Sequence, residues 1–222
     1  MRSVLLSIYL FVQSLLAFGK NKLLCFVLVS KAYKCGDNLN VYGPLYLTNK
    51  YCKLTLGDGV SIGRRVLIDV EGSITIGNGV SLLDDVEITG FGNLTICDNA
   101  TINRSVTIKV GGIVIGKSTW VGQHSIIEGN VVVGDNCIFG PYTHVASGRH
   151  RTDSDGCTYM NSDSNPGTIS LGVNCFIGSG SRITGNSNIG DFVSVAANSH
   201  VNSNFQNKVI IGGGVAKIVK CK

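Results

Sequence analysis

Proline and charge are both scarce in this chain. Pro accounts for 3 of 222 residues, and Asp, Glu, Lys and Arg together for 15%. A long helix in water needs a charged outer face, so this composition argues against helical bundles and coiled coils. Basic density is low as well: the net charge is +5, no Lys/Arg run is long enough to line a nucleic-acid groove, and Trp and Tyr are not interleaved with basic residues. A nucleic-acid partner is therefore not expected. No C-x-x-C pair occurs among the eight cysteines. That weakens zinc-ribbon and thioredoxin-like readings, and unpaired thiols fit a reducing compartment.

What the chain does have is glycine, 29 residues of it, and short aliphatic segments between turns. The N-terminal segment, 1–35, stands apart. Residues 3–18 read SVLLSIYLFVQSLLAF, followed by GKNK and then LLCFVLVS. The first run is slightly short for a span of about 20 residues, and no small-x-small cleavage site follows it. Lys20, Lys22, Lys31 and Lys34 flank the second run. The segment is expected to be helical. Two roles stay open, a cap over the end of the following domain or a helix lying on an anionic membrane surface.

From about residue 36 to residue 220 the chain repeats every six residues. Residues 171–201 divide into LGVNCF, IGSGSR, ITGNSN, IGDFVS and VAANSH. The first place is always aliphatic, and the fifth is always small or β-branched: Cys175, Ser181, Ser187, Val193 and Ser199. The same frame leads with Val133, Phe139 and Val145, with Ile115, Val121 and Ile127, and with Leu56, Ile62 and Ile68. Three hexads close one turn of a triangular coil, with the aliphatic side chain pointing inward from each flat side. Stacked coils bury a continuous core that no single hexad could form. The expected fold is all-β, a parallel β-helix. Gly57, Gly77, Cys97, Gly116, Gly134, Gly172 and Gly190 mark its period, with gaps of 20, 20, 19, 18, 38 and 18 residues. The gap of 38 is one coil plus an insertion. That insertion, 148–167, is polar and turn-rich, and reads as a loop leaving the coil.

His150 stands at the root of this loop, and here the sequence resembles the hexapeptide-repeat acyltransferases, in particular the sugar O-acetyltransferases related to the maltose and galactoside enzymes. The residues that carry the resemblance are V-G-D-N-C-I-F-G-P at 133–141, with His150 nine residues after Pro141, then N-C-F-I-G-S-G at 174–180, A-A-N-S at 196–199 and G-G-G-V-A-K at 212–217. The resemblance implies a left-handed coil, a homotrimer with sites in clefts between subunits, acetyl-CoA as co-substrate and no metal. It implies His150 as the catalytic base; an imidazole suits that task because its ordinary pKa lies near working pH. On the donor side it implies Phe176 and Ser179 flanking the pantetheine arm, with Gly178 and Ala197 small where the arm passes and Lys217 and Lys220 meeting the nucleotide phosphates. Gly122 stands where the family has an Asn, with Gln123 or His124 as substitutes. His144 and Asp153 are candidates for lining the acceptor side or orienting the base. A zinc site on the three histidines fits poorly, because their separations of 20 and 6 residues differ from the ligand spacing of the β-helical carbonic anhydrases that share this fold.

The expected activity is acetyl transfer from acetyl-CoA to a sugar hydroxyl, in a setting such as O-antigen or capsule biosynthesis, in the cytoplasm or at the inner face of the membrane. N-acetylation of a nucleotide-linked amino sugar and a non-catalytic scaffold remain as alternatives.

Overall fold

The computed structural model describes residues 34–150, 164–165 and 167–221, with only the backbone described at 149, 150, 164 and 165. The apolar segment before residue 34 lies outside the described residues. Every strand but three pairs in parallel, in one 12-stranded and one 10-stranded ladder, and the chain winds as a parallel β-helix. One coil shows the pattern. Residues 131–133 form its first face, Ile138–Phe139 its second and His144–Ser147 its third. Among the described residues there is no helix long and apolar enough to cross a membrane.

The aliphatic leads stack in register. Leu56 pairs with Ile76, Ile76 with Ile96, Ile96 with Ile115, Ile115 with Val133, Val133 with Leu171 and Leu171 with Ile189. These are the spacings read from the sequence. Each lead is buried, contributing roughly 1.5–3 kcal/mol of burial free energy.

The fifth-place residues are buried too, and their hydroxyls serve the corner backbone. Ser125 Oγ and Thr143 Oγ1 both donate to the Gly140 carbonyl, and Ser181 Oγ and Ser199 Oγ both donate to that of Ala196. A Ser or Thr at this place caps a corner carbonyl inside the coil, whereas Val193 fills the same place without a hydroxyl.

The first corner, between faces one and two, is tied along the axis by carboxylates and amides. Oδ1 atoms of Asp58, Asn78, Asp98, Asp135, Asp191 and Asn207 each accept a backbone N–H from the preceding coil at 2.7–2.9 Å. The second corner, between faces two and three, carries an ion pair near its N-terminal end. The Arg65 guanidinium hydrogen-bonds Asp85 and holds its carboxyl below the ordinary carboxylate range.

The third corner absorbs the variation in coil length. Five residues separate the inward Ile68 from Ile74, four separate Ile108 from Ile113, and three separate Ile127 from Val131. At Gly92 the backbone has φ +128°, and a Cβ there would overlap the carbonyl oxygen of Gly111 on the next coil. Only glycine fits such a crowded edge. The 148–167 insertion leaves from this same corner. The last strand, Lys217–Cys221, turns back antiparallel on Val209–Gly212.

Candidate functional site

The outer surface of face two carries one straight row across successive coils. Trp120 pairs with Ile138, Ile138 with Phe176, Phe176 with Ser194, Ser194 with Ile210 and Ile210 with Lys220. Trp120, Ile138 and Phe176 are 38%, 46% and 48% exposed, a run of apolar side chains on an open sheet face. Phe176 and Lys220 are three rungs apart, about 14 Å at ~4.8 Å per rung. Lys217 lies opposite Gly212 on the same outward side of the sheet. The slip in register between Ile210 and Ile211 allows two lysines three residues apart to share one side.

The second corner borders this row. Ser179 and Ala197 are exposed there on adjacent coils, and Asn198 N donates to the Ser179 carbonyl at 2.9 Å. Asn198 has φ +57°, the left-handed conformation Asn tolerates. Gly178 is buried, and a Cβ at that position would run into the Ala197 backbone. Its smallness serves coil stacking. Gly122 is alike: a Cβ would meet the Phe139 carbonyl, so an Asn side chain has no room there. Gln123 and His124 instead project from the corner and are exposed. His124 stacks on Tyr142 with ring centroids 5.0 Å apart and planes 11° from parallel. Both hold φ +59°, as do Arg65 (+57°), Asp85 (+62°) and Ser105 (+57°) at the same corner of earlier coils, so this conformation belongs to the corner itself.

Face three carries a polar cluster. His144 pairs with Ile126 and with Arg182, and Arg182 with His200. In the neighbouring row Glu128 pairs with Ala146 and Ala146 with Thr184. His144 Nε2 lies 3.2 Å from Glu128 Oε1, and Lys109 Nζ lies 3.5 Å from Glu128 Oε2. Thr184 Oγ1 and His200 Nε2 are 2.9 Å apart. Glu128, Ala146, Arg182, Thr184 and His200 were not among the residues picked from the motif. Their signal is periodic: Arg182 and His200 hold the sixth place of their hexads, as Ile126 and His144 do, and Glu128, Ala146 and Thr184 hold the second place of theirs.

At the third corner the chain leaves the coil. Gly148 bridges to Gly185, and Arg149–His150 pairs antiparallel with Ser164–Asn165, giving the insertion a two-stranded stem. Asp153 lies outside the described residues. This corner is the vertex opposite face two. The donor-side candidates Phe176, Ser179, Ala197, Lys217 and Lys220 thus share one side of the prism, whereas the stem that bears His150 springs from the far edge. Among the described residues no three His, Cys, Asp or Glu side chains gather at one point. Inside the coil, Cys137 sits against Cys175; that contact and burial push the Cys137 thiol far above its ordinary value.

Residues 112–147 match the family described as bacterial transferase hexapeptide (six repeats). No match is found among curated proteins. Three solved structures are similar. The polySia-specific acetyltransferase NeuO is 18% identical with a TM-score of 0.58, covering 86% of this chain and 87% of its own. The UDP-N-acetylglucosamine acyltransferase from Campylobacter jejuni is 17% identical with a TM-score of 0.66, covering 86% of this chain and 71% of its own. A variant of AntD, an N-acyltransferase from Bacillus cereus, in complex with dTDP and coenzyme A, is 21% identical with a TM-score of 0.50, covering 72% and 83%. At such identities the likeness establishes the fold. The repeat expected from the sequence is thus borne out by both the matching family and the coil itself.

Proposed function

We propose that this hexapeptide-repeat chain is an acetyl-CoA-dependent O-acetyltransferase acting on a sugar hydroxyl. The observation that carries the reading is the straight outer row from Phe176 through Ser194 and Ile210 to Lys220. An aromatic face at one end suits a thioester-bearing arm, and two lysines at the other suit phosphates as point charges. A flat, largely uncharged strip between them suits the thin arm itself. AntD, of the same fold, is a structure with coenzyme A bound.

The chemistry needs a base. His150 takes the proton from the acceptor hydroxyl as the oxygen attacks the thioester carbonyl. The tetrahedral intermediate collapses with cleavage of the C–S bond, and the imidazolium returns the proton to the coenzyme A thiolate. The stem of the insertion springs from the vertex opposite face two, so its backbone stands across the coil from the donor row of the same copy. We therefore assign each site to two copies of a homotrimer, His150 from one and Phe176 and Ser179 from its neighbour. A cytoplasmic setting in surface-polysaccharide synthesis fits this co-substrate.

The test is acetyl transfer from acetyl-CoA to a panel of sugars, amino sugars and glycans. His150→Ala is expected to lower the rate by ~10²–10⁴ while the protein stays folded, the range a positioned base supplies. Undiminished transfer by the folded variant overturns the assignment, and transfer only to amino groups moves the reaction to N-acetylation.

A further inference from the structure

We propose that the notch at Ala146 on face three is a subsite for the sugar acceptor, read by His144 and held in shape by Glu128. The inference rests on the acetyltransferase reading; it gives His144, already an acceptor-side candidate, a place, and adds Glu128, Ala146, Arg182 and Thr184.

The notch follows from the register. Along one outward row of face three the residues are Lys109, Glu128, Ala146 and Thr184. Three of these four side chains are long or polar, and Ala146 between Glu128 and Thr184 carries only a methyl group. In the adjacent row His144 and Arg182 lie side by side. The gap is therefore rimmed by an imidazole, a carboxylate, a guanidinium and a hydroxyl, a set that offers both donors and acceptors at sugar-hydroxyl scale.

The imidazole is fixed. Its Nε2 lies 3.2 Å from Glu128 Oε1, and the other carboxylate oxygen is 3.5 Å from Lys109 Nζ. The His144 and Glu128 side chains are 36% and 31% exposed, neither core nor free in solvent. In the neutral tautomer that donates Nε2–H to the carboxylate, Nδ1 is an acceptor for a hydroxyl. Thr184 is likewise held, by His200 Nε2 at 2.9 Å. Arg182 is exposed in the row of His144, and its guanidinium offers donors to an acceptor oxygen or acid group.

The location fits an acceptor rather than a donor. Ala146 is followed by Ser147, Gly148 and the stem with His150. Ala146 and His150 are four residues apart, at most about 13 Å of extended chain. The notch and the stem that carries His150 thus stand on one copy, and the donor row they would meet is the neighbouring copy's.

The experiment compares the full-length protein with Ala146→Leu, His144→Ala, Glu128→Gln and Glu128→Asp. Ala146 is outward-facing, so Ala146→Leu fills the notch without entering the core. Steady-state constants are measured with methyl glycosides of neutral sugars and with oligosialic acid. Affinity for the same glycans is measured by titration calorimetry without acyl donor. Ala146→Leu and His144→Ala are expected to raise the acceptor KM and Kd at least tenfold, with the KM for acetyl-CoA within twofold. Glu128→Gln falls between them and wild type, and Glu128→Asp recovers part of the loss. Unchanged acceptor Kd in folded Ala146→Leu and His144→Ala overturns the proposal. So does a large drop in kcat at constant acceptor KM, which makes His144 a proton-transfer group instead. If the wild type transfers acetyl to no acceptor, the acetyltransferase reading fails by itself. Calorimetry still decides the subsite: glycan binding lost in Ala146→Leu sustains it, and no binding to the wild type rejects it.

Discussion

Ser125→Ala should destabilise the coil more than Thr143→Val, although both remove one buried hydroxyl. Ser125 Oγ accepts the Thr143 N–H at 3.1 Å and donates to the Gly140 carbonyl at 3.3 Å. Thr143 Oγ1 donates to the same carbonyl at 2.7 Å. Removing the Ser125 hydroxyl leaves the buried Thr143 N–H without that acceptor, which costs about 1–3 kcal/mol. Thr143→Val keeps the side-chain shape and leaves Gly140 with its bond from Ser125. Only one hydrogen bond is lost, about 0.5–1.5 kcal/mol. For a chain of this size each kcal/mol lowers Tm by roughly 2–4 °C.

The next coil repeats the geometry with one difference. Ser199 N donates to Ser181 Oγ at 3.3 Å, and both hydroxyls donate to Ala196, but Ser199 Oγ also accepts Gly213 N at 3.2 Å. Ser181→Ala and Ser199→Ala should therefore be alike, both in the range of Ser125→Ala. The assay is urea unfolding at one protein concentration, since assembly is linked to stability. A loss in Thr143→Val equal to or above that in Ser125→Ala would refute the reasoning that an orphaned N–H dominates.

Three further outcomes are expected. If each site is shared, co-refolding equal amounts of inactive His150→Ala and Ser179→Trp chains restores activity, to about a quarter of wild type for random assembly of cyclic trimers; no recovery in a confirmed mixed trimer points to a site within one copy. Iodoacetamide under native conditions should alkylate the exposed Cys221 and spare Cys137, whose thiol is buried and pushed upward by Cys175; mass spectrometry that finds native Cys137 labelled contradicts the buried assignment. Gly92→Ala should lower stability by more than the ~1 kcal/mol typical of a point change, because its methyl meets the Gly111 carbonyl at a positive φ; a melting temperature equal to wild type would show that this edge yields.

Residue types at a fixed spacing were enough for the coil. The inward leads from Leu56 to Val201 and the fifth-place fillers could be read from the sequence because burial recurs every six residues, and the stacking steps of 20, 20, 19, 18, 38 and 18 became the observed register. The break after Ser147 was legible for the same reason: a polar stretch cannot supply inward aliphatics.

The reason for Gly178 was not legible. Its position suggested clearance for a ligand, yet the missing Cβ faces the Ala197 backbone, and direction within a corner is a property of stacked coils. Nor was the alignment of Phe176 with Lys220, which depends on the last strand turning back with a slipped register. The His144–Glu128 contact joins residues 16 apart on adjacent rungs, and periodicity assigns each to a face without saying which side chain leans to which. The six-residue pattern determined which residues point inward, because hydrophobic burial is local and repetitive. Which outward residues meet was decided by tertiary structure alone, because corner lengths, bulges and chain reversal set the register between coils.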